Sequence, residues 1–118
     1  MSEAVTELLV GARQAITRPG AWIQVYNHRK DEAGLDYFCT YGALHYEVPG
    51  TCCAPAESHD EAWKLLTAEA KALGYEDTSD GTMHGTHGAL TNFNEDSKTT
   101  QEDVLALYDR AIEKSKAA

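Results

Sequence analysis

The sequence predicts a mostly α domain of about four helices, with at most a short strand or hairpin near Trp22–Tyr26. An α+β arrangement is the alternative. Three observations point this way. The opening segment has apolar residues at helical spacing. Two later segments, starting near Ser58 and Thr100, each begin with a capping pattern and continue as an amphipathic stripe. Only one segment, Ala21 to Tyr26, has strand-like chemistry. At 118 residues the chain fits one domain, 1–118, long enough to bury a core without a covalent staple.

The first helix is expected from about Ser2 to Thr17. Val5, Leu8, Leu9, Ala12 and Ile16 share one face, and Glu3, Glu7, Arg13 and Gln14 the other. Ser2 can cap it and Pro19-Gly20 ends it. Gly11 in its middle costs about 1 kcal/mol against alanine, which suggests close packing there. The apolar positions of Ala21–Tyr26 do not divide into two faces, so strand and extended loop both remain open. Asn27 to Gly34 reads as a charged connection. A second helix is expected from Asp36 through Tyr46, stopping before Pro49-Gly50, with a strand as the other option because of its aromatics.

The third helix takes Ser58 as cap with Glu61 three residues on. Ala62, Leu65, Leu66, Ala70 and Leu73 form its stripe, and Gly74 is a natural C-cap. The last helix has Thr100 as cap and Asp103 three residues later. Val104, Leu105, Leu107, Tyr108, Ala111 and Ile112 form its buried face. Between these two helices lies a long polar segment, about 77–99, whose large apolar anchors are Met83, Leu90 and Phe93. A connection of that length is commonly functional or mobile.

The net charge of −9 is large for this length. It disfavours direct contact with nucleic acid or anionic lipid, whose phosphates would be repelled. It suits solubility, and it also suits docking on a partner with a basic surface. No apolar run approaches the roughly 20 residues of a membrane span, and the N-terminus carries acids where a secretory signal carries bases. The expected location is cytoplasmic. Cys39, Cys52 and Cys53 cannot all pair within one chain, and a vicinal pair is strained, so thiols are expected.

Four stretches carry a family resemblance. They are Arg18-Pro-Gly-Ala-Trp22, Cys39-Thr-Tyr-Gly42-Ala-Leu44, Phe93-Asn94-Glu95, and the run from Thr100 to Ile112. Together they resemble the DUF6197 type of small actinobacterial and phage proteins. The resemblance implies a shared fold and an actinobacterial or phage origin, and it implies no activity. Phe93-Asn94-Glu95 stands where that pattern commonly has Trp-Asn-Asp, and Tyr37 where it often has a second cysteine.

The candidate sites follow from residue chemistry. Cys39 is a candidate nucleophile, which would need His84 or His87 as base; a lone cysteine beside Gly-Ala is more usually a small buried hydrophobe. Cys52, Cys53, His59, His84 and His87 could supply zinc ligands, but no Cys-x2–4-Cys knuckle is present. Asn94 and Glu95 precede the last helix, where capping accounts for them or a ligand contact would use them. Trp22 and Tyr41 belong to an aromatic-rich middle that is core in part and a potential interface anchor in part. No cofactor motif is present.

The reading favoured from sequence is a small acidic, non-enzymatic interaction protein that binds a host or phage protein. Two alternatives stand beside it. One is a small enzyme or ligand-binding domain using Cys39 and the His84–Asn94 loop. The other is a virion or assembly component, for which homo-oligomers are expected.

Overall fold

The computed structural model describes residues 3–24, 28–40, 42–45, 56–79 and 86–116. Three long helices make the frame: α1 (Glu3–Ala15), α3 (Ala56–Ala72) and α5 (Gln101–Lys116) pack pairwise against one another. Two short helices complete it, α2 (Gly42–His45) against α1 and α3, and α4 (Ala89–Glu95) against α3. The strands are brief. Strands β1 (His28–Lys30) and β2 (Asp36–Phe38) form an antiparallel hairpin, and β3 (Thr78–Ser79) pairs with β4 (Thr86–His87). The fold is mostly α, as the sequence predicts.

Each long helix turns its apolar stripe inward. Leu8 and Leu9 from the first, Leu66 from the third, and Val104, Leu107 and Tyr108 from the last are fully buried together with Ile16, just past the end of α1, and with Leu44 and Leu90. Truncating any one of these leucines to alanine would cost about 2–5 kcal/mol, the sum of lost transfer energy and the cavity left behind. Gly11 is buried on α1, in keeping with the close packing its position suggests. Side-chain contacts also fasten α1 to α5. Thr6 Oγ1 and Ser115 Oγ lie 2.6 Å apart, and Arg13 Nε lies 2.7 Å from Asp109 Oδ1.

The end of α3 and the start of α5 follow the sequence signals, while the Ser2 cap expected for α1 lies outside the described residues. At Gly74, φ is +101°, a conformation that glycine adopts without penalty. The Tyr75 amide donates to the Ala70 carbonyl at 3.2 Å and the Gly74 amide to the Lys71 carbonyl at 2.9 Å, the double closure of a Schellman end. At the start of α5 the capping box closes in both directions. The Asp103 amide donates to Thr100 Oγ1 at 3.2 Å, and the Thr100 amide donates to Asp103 Oδ2 at 2.9 Å. The third helix begins at Ala56, so Ser58 falls inside its first turn and is buried rather than standing at its cap.

Two segments differ from expectation. The helix expected over 36–46 is instead strand β2 followed by the four-residue α2. The cause is long-range. The Phe38 amide donates to the Ala21 carbonyl and the Ile23 amide to the Phe38 carbonyl, both at 3.0 Å, so β2 is paired on both edges. The strand-like Ala21–Tyr26 stretch thus contributes Ala21–Ile23 as an extended neighbour, and the hairpin itself lies over 28–38. Asp31 organises its turn. Its Oδ1 accepts from the Ala33 and Leu35 amides, both at 2.9 Å, and its Oδ2 accepts from the Tyr37 hydroxyl at 2.8 Å.

The polar segment 77–99 also carries structure. It contains the β3–β4 pair and α4, whose Leu90 and Phe93 stand three apart and are both buried. Gly88, before the helix, offers no side chain to cap it. Asp77 does so from twelve residues upstream, its Oδ1 accepting from the Ala89 amide at 2.8 Å.

Candidate functional site

The Phe93–Asp96 turn lies between two features, a buried polar centre on one side and an open cleft on the other. Asn94 occupies the polar centre at 5% exposure. Its Oδ1 accepts from Trp22 Nε1 at 2.8 Å, the Thr40 amide at 2.8 Å and Thr40 Oγ1 at 2.6 Å. Its Nδ2 donates to the Gln24 carbonyl at 3.1 Å. The amide orientation follows from its neighbours: the indole and the backbone N–H can only donate, so they require the oxygen. Gln24 returns the contact, its Nε2 donating to the carbonyls of Asn94 at 3.2 Å and Asp96 at 2.8 Å.

Tyr108 closes the centre from α5. Its hydroxyl donates to the Thr40 carbonyl at 2.7 Å, and complete burial pushes its pKa far above the usual tyrosine value. Cys39 lies next in the chain to Thr40, a buried thiol at 5% exposure whose Sγ accepts from the Gly42 amide at 3.1 Å. The structure therefore brings Trp22, Asn94 and Cys39 to one region, and the bonds it shows there hold the fold together. Gln101 adds a second tie nearby. Its Nε2 donates to the carbonyls of Ile16 at 2.8 Å and Arg18 at 2.7 Å, and its Oε1 accepts from the Gly20 amide at 3.2 Å.

The cleft lies beyond Asp96, where the C-terminal end of α3 faces α5. Its volume is about 350 Å3, and its walls include Leu73, Tyr75, Phe93, Asp96, Asp103 and Ala106. Leu73 is half exposed at its mouth. The Tyr75 ring meets Phe93 edge-on at 5.5 Å, and its hydroxyl donates to Asp96 Oδ2 at 2.5 Å. That bond, with burial and the nearby Asp103 charge, holds the Tyr75 pKa above its ordinary value. The same hydroxyl and the Lys98 amide hold the Asp96 carboxyl below the usual range.

Lys98 and Arg110 also line the cleft. Arg110 faces Glu69, which is 3% exposed and ion-paired with both Arg110 and Lys114. Nearby, Lys71 pairs with Asp77 at 3.3 Å. Asp103 on the cleft wall and Glu76, Glu95 and Glu102, each next in the chain to a wall residue, are exposed and have no ion-pair partner among the described residues.

The remaining expected site residues are scattered. Glu95 is exposed at the end of α4, His59 is half-buried on α3, and His87 belongs to β4. Tyr41, Cys52, Cys53 and His84 lie outside the described residues. Among the described residues, no group of three or more His, Cys, Asp or Glu is placed to hold a metal. Sequence reasoning passed over Gln24, Thr40 and Gln101; Tyr75 it counted with the aromatic-rich middle and Asp96 with the polar turn before α5. Gln101 alone had a local signal, since it follows the cap of α5 directly. The others acquire their roles through partners distant in sequence.

A small, mostly helical domain with a polar tie at its centre and a cleft at one end is the class these features define. The chain belongs to the DUF6197 family, a family of unknown function whose model matches residues 1–114. No curated protein and no solved structure matches it. Among the described residues, no helix is long and apolar enough to cross a membrane.

Proposed function

We propose that this chain is a small acidic, non-enzymatic interaction protein of phage or actinobacterial origin. It acts in the host cytoplasm by binding a host or phage protein that presents a basic surface. The observation that carries this reading is the distribution of charge around the cleft. Arg110 and Lys114 are engaged by Glu69 and Lys71 by Asp77, which leaves Lys98 as the one cation of the cleft wall outside an ion pair among the described residues. Glu76, Glu95, Glu102 and Asp103 face solvent. A field of one sign steers an oppositely charged partner and raises its association rate. The half-exposed Leu73 and the cleft behind it supply apolar surface within that field.

The experiment is a pull-down of tagged protein from actinobacterial lysate, washed at moderate and at high salt. It is run beside a charge-reversed variant, Glu76→Lys/Glu95→Lys/Glu102→Lys. The expected result is one stoichiometric partner that leaves as salt rises and is absent from the variant. A bait that retains nothing at moderate salt would count against the reading, as would a partner indifferent to both salt and charge reversal.

A further inference from the structure

We infer that the cleft between the end of α3 and α5 receives a lysine or arginine side chain from a basic segment of a protein partner. This rests on the protein-binding reading above and names what the site takes. The cleft combines two kinds of surface in about 350 Å3. Leu73, Phe93 and Ala106 give apolar wall, against which the methylene stem of a long basic side chain can lie. The carboxylates of Asp96 and Asp103 stand over the same space, where the cationic head would sit.

The electrostatics favour a cation there over an anion or a neutral group. Of the two cations on the wall, Arg110 is turned to the buried Glu69, which leaves Lys98 as the positive charge to be outweighed. Against it stand Asp96 and Asp103 in the cleft, with Glu76, Glu95 and Glu102 exposed on the segments that build it. The Tyr75 hydroxyl samples this field directly, since both aspartates make its ionisation harder. Each oxygen of Asp96 already accepts one hydrogen bond, Oδ1 from the Lys98 amide and Oδ2 from Tyr75. A carboxylate oxygen has room for a second, so a guanidinium or ammonium can bind without displacing either. The partly exposed Tyr75 ring adds a surface to which a cation is attracted when it approaches the face.

The test is an NMR titration of the whole chain with three capped tripeptides, Ala-Arg-Ala, Ala-Lys-Ala and Ala-citrulline-Ala, at low salt. Citrulline keeps the shape of arginine and removes its charge. The expected result is saturable shifts of the Tyr75, Asp96, Asp103 and Ala106 amides with the two cationic peptides. Their Kd should be on the order of 1 mM, and the citrulline peptide should bind roughly tenfold more weakly or worse. Ala106→Lys fills the cleft with its own cation and Leu73→Lys places one at its mouth. Each should abolish the shifts while the far-UV circular dichroism is unchanged.

Equal binding of the citrulline peptide would overturn the inference. So would shifts that reach Glu57 and Asp60, on the first turns of α3, with the same concentration dependence, or no shifts at all. The comparison among peptides uses the unmodified chain, so it stands even if a lysine variant fails to fold. In the pull-down, a partner held equally by Leu73→Lys would overturn the cleft assignment and leave the protein-binding reading intact. The absence of any partner would count against that reading instead, while the titration still decides what the cleft takes.

Discussion

The indole Nε1 of Trp22 donates to Oδ1 of Asn94 at 2.8 Å, joining residues 72 apart in the chain. This one bond fixes the strap after α1 to the last turn of α4. Because Asn94 also takes both donors of Thr40, the strap, the end of β2 and α4 meet at one amide group. A buried polar group serving three elements is costly to remove: the Thr40 amide loses its acceptor and the Gln24 carbonyl a donor, and the Trp22 indole keeps only the longer bond to Thr40 Oγ1 at 3.2 Å.

Asn94→Ala should therefore destabilise the fold by about 3 kcal/mol, more than an ordinary lost hydrogen bond. Asn94→Asp should not rescue it, because a carboxylate oxygen would replace the Nδ2 donor and face the Gln24 carbonyl, to which it cannot donate. Urea unfolding followed by tryptophan fluorescence measures both. A cost under about 1 kcal/mol for the alanine variant would show that water replaces the amide.

Gln101 caps the end of α1 from across the fold. Gln101→Ala leaves the Ile16 and Arg18 carbonyls without that donor and should cost about 1–2 kcal/mol. Gln101→Glu should fare no better. Its carboxylate can still accept from the Gly20 amide but cannot donate to either carbonyl. Thermal melts of the two variants give the comparison, and recovery by glutamate would contradict the geometry.

Glu69 is buried while its partners are partly exposed, with side-chain exposures of 43% for Arg110 and 57% for Lys114. Removing either partner leaves the other in place, so Arg110→Ala and Lys114→Ala should each cost under about 1 kcal/mol. The double variant strands a buried carboxylate and should cost about 3 kcal/mol, well beyond the sum. A double-mutant cycle by chemical denaturation tests this non-additivity. Strict additivity would mean that Glu69 is hydrated after all.

The hairpin should be sensitive to acid. The Tyr37 hydroxyl, then the Leu35 amide, hold the Asp31 carboxyl below its ordinary range, and Arg18 adds a smaller pull. A depressed carboxylate contributes stability that is fully present above the unfolded value, near 4, and is lost as pH falls through the folded value. Tm should therefore drop on acidification from about pH 5 toward pH 2. Asp31→Asn keeps an acceptor for the turn amides and removes the charge, so its Tm should depend less on pH over that range. Parallel profiles would assign the acid sensitivity elsewhere, with Asp77 and Asp96, whose carboxyls are also held low, as the next groups to change.

The parts of the fold legible in the sequence were those decided within a few residues. The stripes of α1, α3 and α5, the Gly74 end and the Thr100–Asp103 box are all local arrangements of side chain and backbone. Each formed where periodicity and capping place it, save that Leu73 at the end of the α3 stripe lies past the helix and half exposed, and the family match agrees with the four stretches that suggested it. The hairpin and α4 were not legible in this way. Asp36–Phe38 is a strand because His28–Lys30 pairs along it, with Ala21 and Ile23 adding a second edge at Phe38 from well before it in the chain, and α4 is capped by Asp77 rather than by its own neighbour.

The same division holds for the candidate site. Composition by itself determined that the chain is acidic, lacks a long apolar run and carries Trp22, Cys39 and Asn94 as chemically distinctive residues. Tertiary structure decided what those residues do. It placed Trp22 and Asn94 opposite each other, buried Cys39 beside them, and opened a cleft at Tyr75 and at Leu73, the latter a residue that the helical stripe alone would assign to the core. The physical reason is that hydrogen bonds and clefts belong to pairs of surfaces. A sequence pattern specifies one surface, and only the packed fold specifies the other.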